Sequence, residues 1–357
     1  MNKEIKFSKT TIGINHPTYF IADIAANHDG KLDKALDLIQ SAHDSGADAA
    51  KFQHFSAKTI VSDYGFKNLG NKFSHQKNWK KSVYETYQDA SIDLTWTEKL
   101  KNKCDKIGIE FFSTPYSFEL VDHINDFLNI YKIGSGDITW IKLIEYIAKK
   151  GKPVILSSGA SNMSDVIRAV EAVKKINENL ILMQCNTNYT GHDEKNLDYI
   201  NLNVLKTYKK HFPDTIMGLS DHTLGDETVI GSIVLGARVI EKHFTLNNDA
   251  DGPDHKFSMN PKTWSSMIKR ARSLEKSLGD GMKKIEINES ETKILQQRSI
   301  RAVTDIQKDV KIEKNHLEIL RPCPENAIKP YDVEKVIGRE TKKKIIKGDI
   351  IKWEDLK

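Results

Sequence analysis

ARVIEKHFT, residues 237–245, opens as an apolar run fit for a buried strand and then sets a carboxylate, an ammonium and an imidazole in succession. Burying such groups unpaired costs several kcal/mol each. A strand resolves the conflict by alternation, which puts Glu241 and His243 on one face and Lys242 on the other. The run therefore reads as the end of a strand whose inner face meets something polar.

Seven more runs of this kind precede it: YFIADIAAN (19–27), ADAAKFQ (47–53), GIEFFST (108–114), NIYKIGS (129–135), PVILSS (153–158), LILMQCN (180–186) and TIMGLS (215–220). Helical periodicity fills the spaces between them, as in LDKALDLIQSAHDSG, LIEYIAKKGK, DVIRAVEAVKKI and ETVIGSIVLG, several of which close on a glycine. Eight β units, each followed by an α unit, predict an α/β fold of the TIM (β/α)8 barrel type. An open doubly wound sheet is the rival, but no Gly-rich dinucleotide turn follows the first strand. The barrel is expected over residues 1–280. A charged linker follows at 281–297, and then a β-rich tail at 298–357 in which KDVKIEKNHL (308–317) is partly repeated as KGDIIKWEDL (347–356). The segment 56–92 is a long insertion, and in a barrel it lies above the mouth.

The chain has 357 residues, of which 39% are hydrophobic, enough for a barrel-sized core and a smaller domain. Its net charge of +5 is spread among nearly balanced acids and bases, with no basic stripe interleaved with aromatics. That suits small anionic substrates and argues against nucleic acid. No apolar stretch reaches membrane-span length and the N-terminal residues lack a signal-peptide core, so a cytoplasmic protein without membrane contact is expected. Cys104, Cys185 and Cys323 are too few and scattered for a disulfide framework or zinc knuckle and read as free thiols.

Polar residues gather at the C-terminal ends of the strands, which in a parallel barrel meet at one mouth. Asp23 ends the first, Lys51 and Gln53 the second, and Ser113 and Thr114 the third; Lys132 and Ser135 end the fourth, Ser157 and Ser158 the fifth. Asn186, Asn188 and Tyr189 close the sixth, Ser220, Asp221 and His222 the seventh, and Glu241 and His243 the eighth. Two imidazoles on adjacent strands with acids beside them suit a divalent ion such as manganese, iron or zinc. Lys51 and Lys132 with the hydroxyls suit a substrate carrying phosphate and carboxylate; alternatively, each lysine pairs with a neighbouring acid such as Asp23 or Glu241.

Several stretches together resemble the sialic acid synthase family: NHDG (27–30), GADAAKFQ (46–53), FFSTP (111–115), YKIGSGD (131–137), LSSG (156–159), LSDHT (219–223), EKHFT (241–245) and GPDH (252–255). RSIRA (298–302), LRP (320–322) and the final repeat resemble the antifreeze-like domain that ends those synthases, which implies a small β-clip module. The resemblance implies condensation of phosphoenolpyruvate with an N-acetylated hexose such as N-acetylmannosamine, or with a diacetamido-trideoxyhexose leading to legionaminic or pseudaminic acid. It also implies a divalent metal, manganese with magnesium or cobalt as alternatives, held by His222 and His243. Lys51, Gln53, Thr114 and Ser135 would hold the carboxylate of phosphoenolpyruvate, and Lys132, Ser157 and Ser220 its phosphate. Asp23 and Glu241 would serve catalysis, Asp254 and Tyr189 the sugar end, and Arg321 would reach the partner's pocket in a domain-swapped homodimer.

Two positions depart from the family pattern. Asp23 stands where a glutamate is usual, and Thr187 stands where an asparagine contacts phosphate, which leaves Asn186 or Asn188 to replace it. Rival readings are a metal-dependent barrel aldolase, a related octulosonate-phosphate type synthase, and an inactive glycan-binding relative.

Overall fold

In the computed structural model, residues 3–69, 76, 79–189 and 194–357 are described. An antiparallel hairpin comes first, β1 (Glu4–Phe7) with β2 (Thr10–Gly13). Its alternation buries Ile5, Phe7 and Ile12. Phe7 meets Tyr19 edge-on at 5.8 Å, and the Arg238 Nε–H donates to the Ile14 carbonyl, so the hairpin floors the N-terminal ends of the strands that follow.

Those strands are β3 (Tyr19–Asp23), β4 (Ala49–His54), β5 (Glu110–Pro115), β6 (Tyr131–Ile133), β7 (Val154–Ser157), β8 (Leu180–Cys185), β9 (Ile216–Asp221) and β10 (Val239–His243). All are parallel, in the spatial order β5-β4-β3-β10-β9-β8-β7-β6, and β5 and β6 at the two ends lie side by side, so the sheet curls into a nearly closed barrel. All eight expected strands are present.

Each strand is followed by a helix that returns the chain. α1 (Leu32–Asp44) buries Ala35, Leu38, Ile39 and Ala42, a spacing that puts one apolar stripe against the sheet. The insertion expected at 56–92 is not wholly irregular: it holds α2 (Ala57–Ile60), α3 (Asp63–Asn68) and α4 (Val83–Ala90), the last started by a Ser82/Glu85 capping box. α5 (Thr97–Ile107) ends on Gly108 at φ 85°, a left-handed turn that a side chain would strain and that feeds directly into β5. α6 (Phe118–Ile124), α7 (Ile141–Ala148), α8 (Met163–Lys174), α9 (Val204–His211), α10 (Glu227–Val234) and α11 (Pro261–Leu278) complete the ring. Among the described residues no helix is long and apolar enough to cross a membrane.

The division into units falls at Gly279/Asp280. The segment 281–297, read from the sequence as a linker, contains a short helix α12 (Ser290–Gln296) and groups with the second unit. There β11 (Ser299–Ala302) pairs antiparallel with β12 (Leu317–Leu320), over a core that includes Ile300, Ile306, Ile312, Ile345 and Ile351. The quasi-repeat is structural. Asp309 (φ 64°) and Gly348 (φ 88°) both take positive φ, Ile312 and Ile351 are both buried, and each copy then enters a 3-10 turn, Lys314–His316 and Trp353–Asp355. At this offset, from Lys308 to Lys347, equivalent residues bond reciprocally. Ile306 and Ile345 exchange both backbone hydrogen bonds, and Ala302 N–H to Asp349 O is matched by Thr341 N–H to Val310 O.

One buried polar cluster braces β4 against β5 and α5. The Thr97 hydroxyl donates to the Leu94 carbonyl, leaving its oxygen to accept from His54 Nε2 (3.0 Å), while His54 Nδ1 accepts from Ser113 Oγ (2.6 Å). Burial, with the nearby His123 and His28, pushes the His54 pKa down to about 3 from its ordinary 6.5. The unfolded chain takes up this proton as pH falls through 6.5, whereas the folded chain resists until about 3, so stability is lost on acidification across that window. His54→Gln should flatten the dependence of unfolding free energy on pH between 6.5 and 4 by up to about 1.4 kcal/mol per pH unit, measured by urea titration.

Candidate active site

Strand register sets the site. Asp23 lies opposite Lys51 on one side and His243 on the other, and Glu241 lies opposite Ser220. Partners in a parallel register share a face, and this one points into the barrel. Inside, Lys51 Nζ sits 2.7 Å from Asp23 Oδ2 and 3.7 Å from Glu241 Oε1, which also accepts from Lys132 Nζ at 3.1 Å. All four side chains are at most 5% exposed. Burial works against the charge on Lys51, but Asp23 and Glu241 outweigh it and hold its pKa above the ordinary value. Each lysine thus pairs with a neighbouring acid, Lys51 with Asp23 and Lys132 with Glu241. These cations still face the mouth, where an anion can share them.

Around this network stand the remaining predicted residues. Gln53 Nε2 donates to Asp23 Oδ2 (3.2 Å), and Ser220 Oγ reaches Glu241 Oε1 only at 3.5 Å. Thr114 is buried, and Ser157 Oγ and Glu241 Oε2 are buried without a hydrogen-bond partner. Ser135 Oγ accepts from Gly159 N–H at 2.9 Å, and a side chain at 159 would run into Thr187 Cγ2 at 2.5 Å. The structure thus brings Thr187 up to Ser135. The Asn186 side chain donates to the Tyr199 carbonyl and accepts from the Asn188 amide.

The two histidines end up adjacent, with ring centroids 5.3 Å apart. Tyr189 packs edge-on to His222 at 4.5 Å, and Phe257 approaches His243 at 4.9 Å. Burial, then the positive neighbours His222 and Lys51, hold His243 well below its ordinary pKa, in the neutral form that ligates metals. His222 Nδ1 is committed to the Asn186 carbonyl (2.8 Å), while His243 Nδ1 is buried with no hydrogen bond, its nearest acid being Asp254 at 3.9 Å. Asp254 accepts from the Ala26 amide, and burial lifts its pKa to about 6. Among the described residues no third His, Cys, Asp or Glu completes a cage. A neutral His243 with an orphaned ring nitrogen, beside His222, where burial disfavours the charge but Cys185 holds the pKa above its ordinary value, fits a divalent ion whose binding displaces the His222 proton and whose other positions go to water and substrate oxygen.

Other polar residues at the mouth are stitching. Asn27 Nδ2 donates to the Phe244 carbonyl and Ser258 Oγ, both at 2.9 Å, and His255 bridges Thr245 and Asp29. A cavity of about 560 Å³ opens beside the histidines, lined in part by Ala26, Trp79, Tyr189, Pro253 and Phe257. Phe257 escaped the sequence reading because an aromatic two residues past GPDH looks like core. Arg321 lies in the second unit, where its Nε–H donates to the Gln296 carbonyl.

Fold and site together define a parallel (β/α)8-barrel protein with a polar, ion-paired mouth and a separate β-rich C-terminal unit. The chain belongs to the NeuB family, a family of sialic and other nonulosonic acid synthases, whose profile matches residues 38–283; a SAF domain follows at 297–357. It is 33% identical to the N,N'-diacetyllegionaminic acid synthase of Campylobacter jejuni, covering 94% of this chain and 99% of that one. It is 31% identical to the N-acetylneuraminate-9-phosphate synthase of Homo sapiens over 77% of this chain and 75% of that protein. Among solved structures it superposes on the N-acetylneuraminic acid synthetase of Leptospira borgpetersenii with a TM-score of 0.72 and 30% identity, covering 82% and 95% of the two chains.

Lys51 holds the Asp23 carboxylate, which would otherwise lose its ammonium partner away from water, while Glu241 keeps Lys132. Lys51→Met should lower the unfolding free energy by about 3–5 kcal/mol in urea titrations. Lys67→Ala, which breaks an exposed pair with Asp63, should leave it essentially unchanged.

Proposed function

We propose that the protein condenses phosphoenolpyruvate with an N-acetylated hexose, N-acetylmannosamine or a diacetamido-trideoxyhexose, to give a nonulosonic acid and inorganic phosphate. The observation that carries this reading is the convergence of Lys51, Lys132 and the unbonded Ser157 hydroxyl on the mouth that also holds the two imidazoles, in a chain of this family. Lys132, Ser157 and Ser220 bind the phosphate; Lys51, Gln53, Thr114 and Ser135 bind the carboxylate. Both lysines then exchange part of their contact with Asp23 and Glu241 for the ligand's charges.

His222 and His243 would hold a divalent ion, manganese in the first instance, which supplies Lewis-acid polarisation of the acceptor's aldehyde oxygen. The enol carbon of phosphoenolpyruvate bonds to the aldehyde carbon, and Asp254, half-protonated near pH 6, delivers a proton to the aldehyde oxygen. Water adds to the cationic carbon that bears the phosphate, and Glu241, with Oε2 uncommitted, accepts its proton. Loss of phosphate leaves the 2-keto acid. Asp23 keeps Lys51 and Gln53 aimed at the ligand. The names of the C. jejuni and human relatives support the reaction class and divide over the acceptor.

Phosphate release from phosphoenolpyruvate should require both an N-acetylated hexose and a divalent ion, and product mass identifies the acceptor. His243→Ala should lose nearly all turnover; full activity of that variant in EDTA would refute the metal role.

The active site is proposed to be shared in a homodimer, with Arg321 of one subunit reaching the acceptor in the barrel of its partner. Inactive Arg321→Ala and His243→Ala homodimers, mixed and allowed to exchange, should regain activity. Confirmed exchange without recovery overturns the shared site.

A further inference from the structure

Lys242, the residue between the two inward side chains of β10, is 1% exposed although it points out of the barrel. Its register partner is Asp221 on β9, and the two form a buried ion pair. Each is followed directly by a mouth histidine: Asp221 by His222, Lys242 by His243. The Lys242 ammonium also donates to the carbonyls of Thr223 (2.6 Å) and Gly225 (3.0 Å), so the turn leaving His222 is wrapped around it. Asp221 Oδ2 accepts in addition from the hydroxyls of Thr223 and Thr228, both at 2.8 Å, which ties the first turn of α10 to the same point.

Stability alone does not call for charge here, because a buried ion pair replaced by apolar side chains of similar volume often costs nothing. What methyl groups would not supply is direction. Bonds from one ammonium to a carboxylate and two backbone carbonyls fix the path of residues 221–225, and with it the height and tilt of His222 relative to His243.

We propose that the Asp221–Lys242 pair is a positioning device that sets the separation of the two imidazoles and thereby the affinity of the site for its divalent ion. This rests on the metal reading of His222 and His243 given above. Neither residue touches substrate or metal; both act through the backbone that carries the ligands, as supporting shells of metal sites do.

The test uses the full chain and Mn²⁺ alone, with free ion measured by electron paramagnetic resonance and folding by urea midpoint. Lys242→Met should fall in midpoint. Asp221→Leu/Lys242→Met, with no charge left to strand, should recover the wild-type midpoint yet bind Mn²⁺ about ten- to a hundredfold more weakly. Its KM for phosphoenolpyruvate should stay unchanged while the Mn²⁺ concentration for half-maximal turnover rises. A double variant with both midpoint and Mn²⁺ affinity of the wild type overturns the proposal. Should the double variant not fold, Asp221→Asn serves instead, since it keeps the shape and removes the charge; weakened Mn²⁺ binding supports the proposal and wild-type binding overturns it. Failure of the underlying metal reading looks different: wild-type protein then leaves the free Mn²⁺ signal undiminished, and this inference falls with it.

Discussion

Four charged side chains, Asp23, Lys51, Lys132 and Glu241, are withdrawn from water inside a parallel barrel, and their mutual pairing is what lets them stay there. Each alone would cost several kcal/mol to bury. Alternated in sign across the inside of the barrel, they compensate one another, and the barrel can close. The same compensation favours the charged form of Lys51 and fixes both lysine side chains on the inner face, where an anion can meet them with little reorganisation. Much of the mouth follows from it: the amide of Gln53 has a fixed acceptor, and His243 is neutral partly because two ammoniums stand near it.

β10 shows how economically the two faces of a strand are used. Glu241 and His243 serve the interior, while Lys242 serves the layer between strands and helices, where Asp221 and the turn after His222 receive it. Three consecutive polar residues in an apolar run are thus three solved burial problems. The Lys242 solution lies outside the barrel altogether.

Much of this was legible in the sequence because period two and the apolar runs report strands directly, and the polar residue at each run's end reports the mouth. The hairpin at residues 4–13 was not, since EIKF and TTIG are too short and too polar to stand out until Tyr19 and Arg238 supply their neighbours. The helices within 56–92 are four to eight residues long, below the length at which periodicity declares itself. The contacts of Asn186 were not legible because a sequence gives the order of residues after β8 but not the direction in which the chain turns; the amide meets the Tyr199 carbonyl through a contact thirteen positions away. Phe257 and the Asp221–Lys242 pair need three-dimensional neighbours before they mean anything.

The reciprocal bonding of the C-terminal unit bears on its ancestry. Ile306 pairs with Ile345, its own equivalent, and the surrounding hydrogen bonds obey the same exchange, which is the signature of a local twofold axis inside one polypeptide. In an isologous dimer residue i meets j and j meets i; here both partners lie on the same strand of peptide. A half of this size cannot enclose Ile312 or Ile351 without its counterpart. Duplication and fusion turn what would be a concentration-dependent encounter between two short chains into a permanent one, with an effective local concentration in the millimolar range. Once fused, the copies are released from identity. Gly348 and Asp309 both turn the chain at positive φ, yet only Gly348 is a residue for which that geometry is free of strain, so the two halves keep one backbone path with unlike side chains.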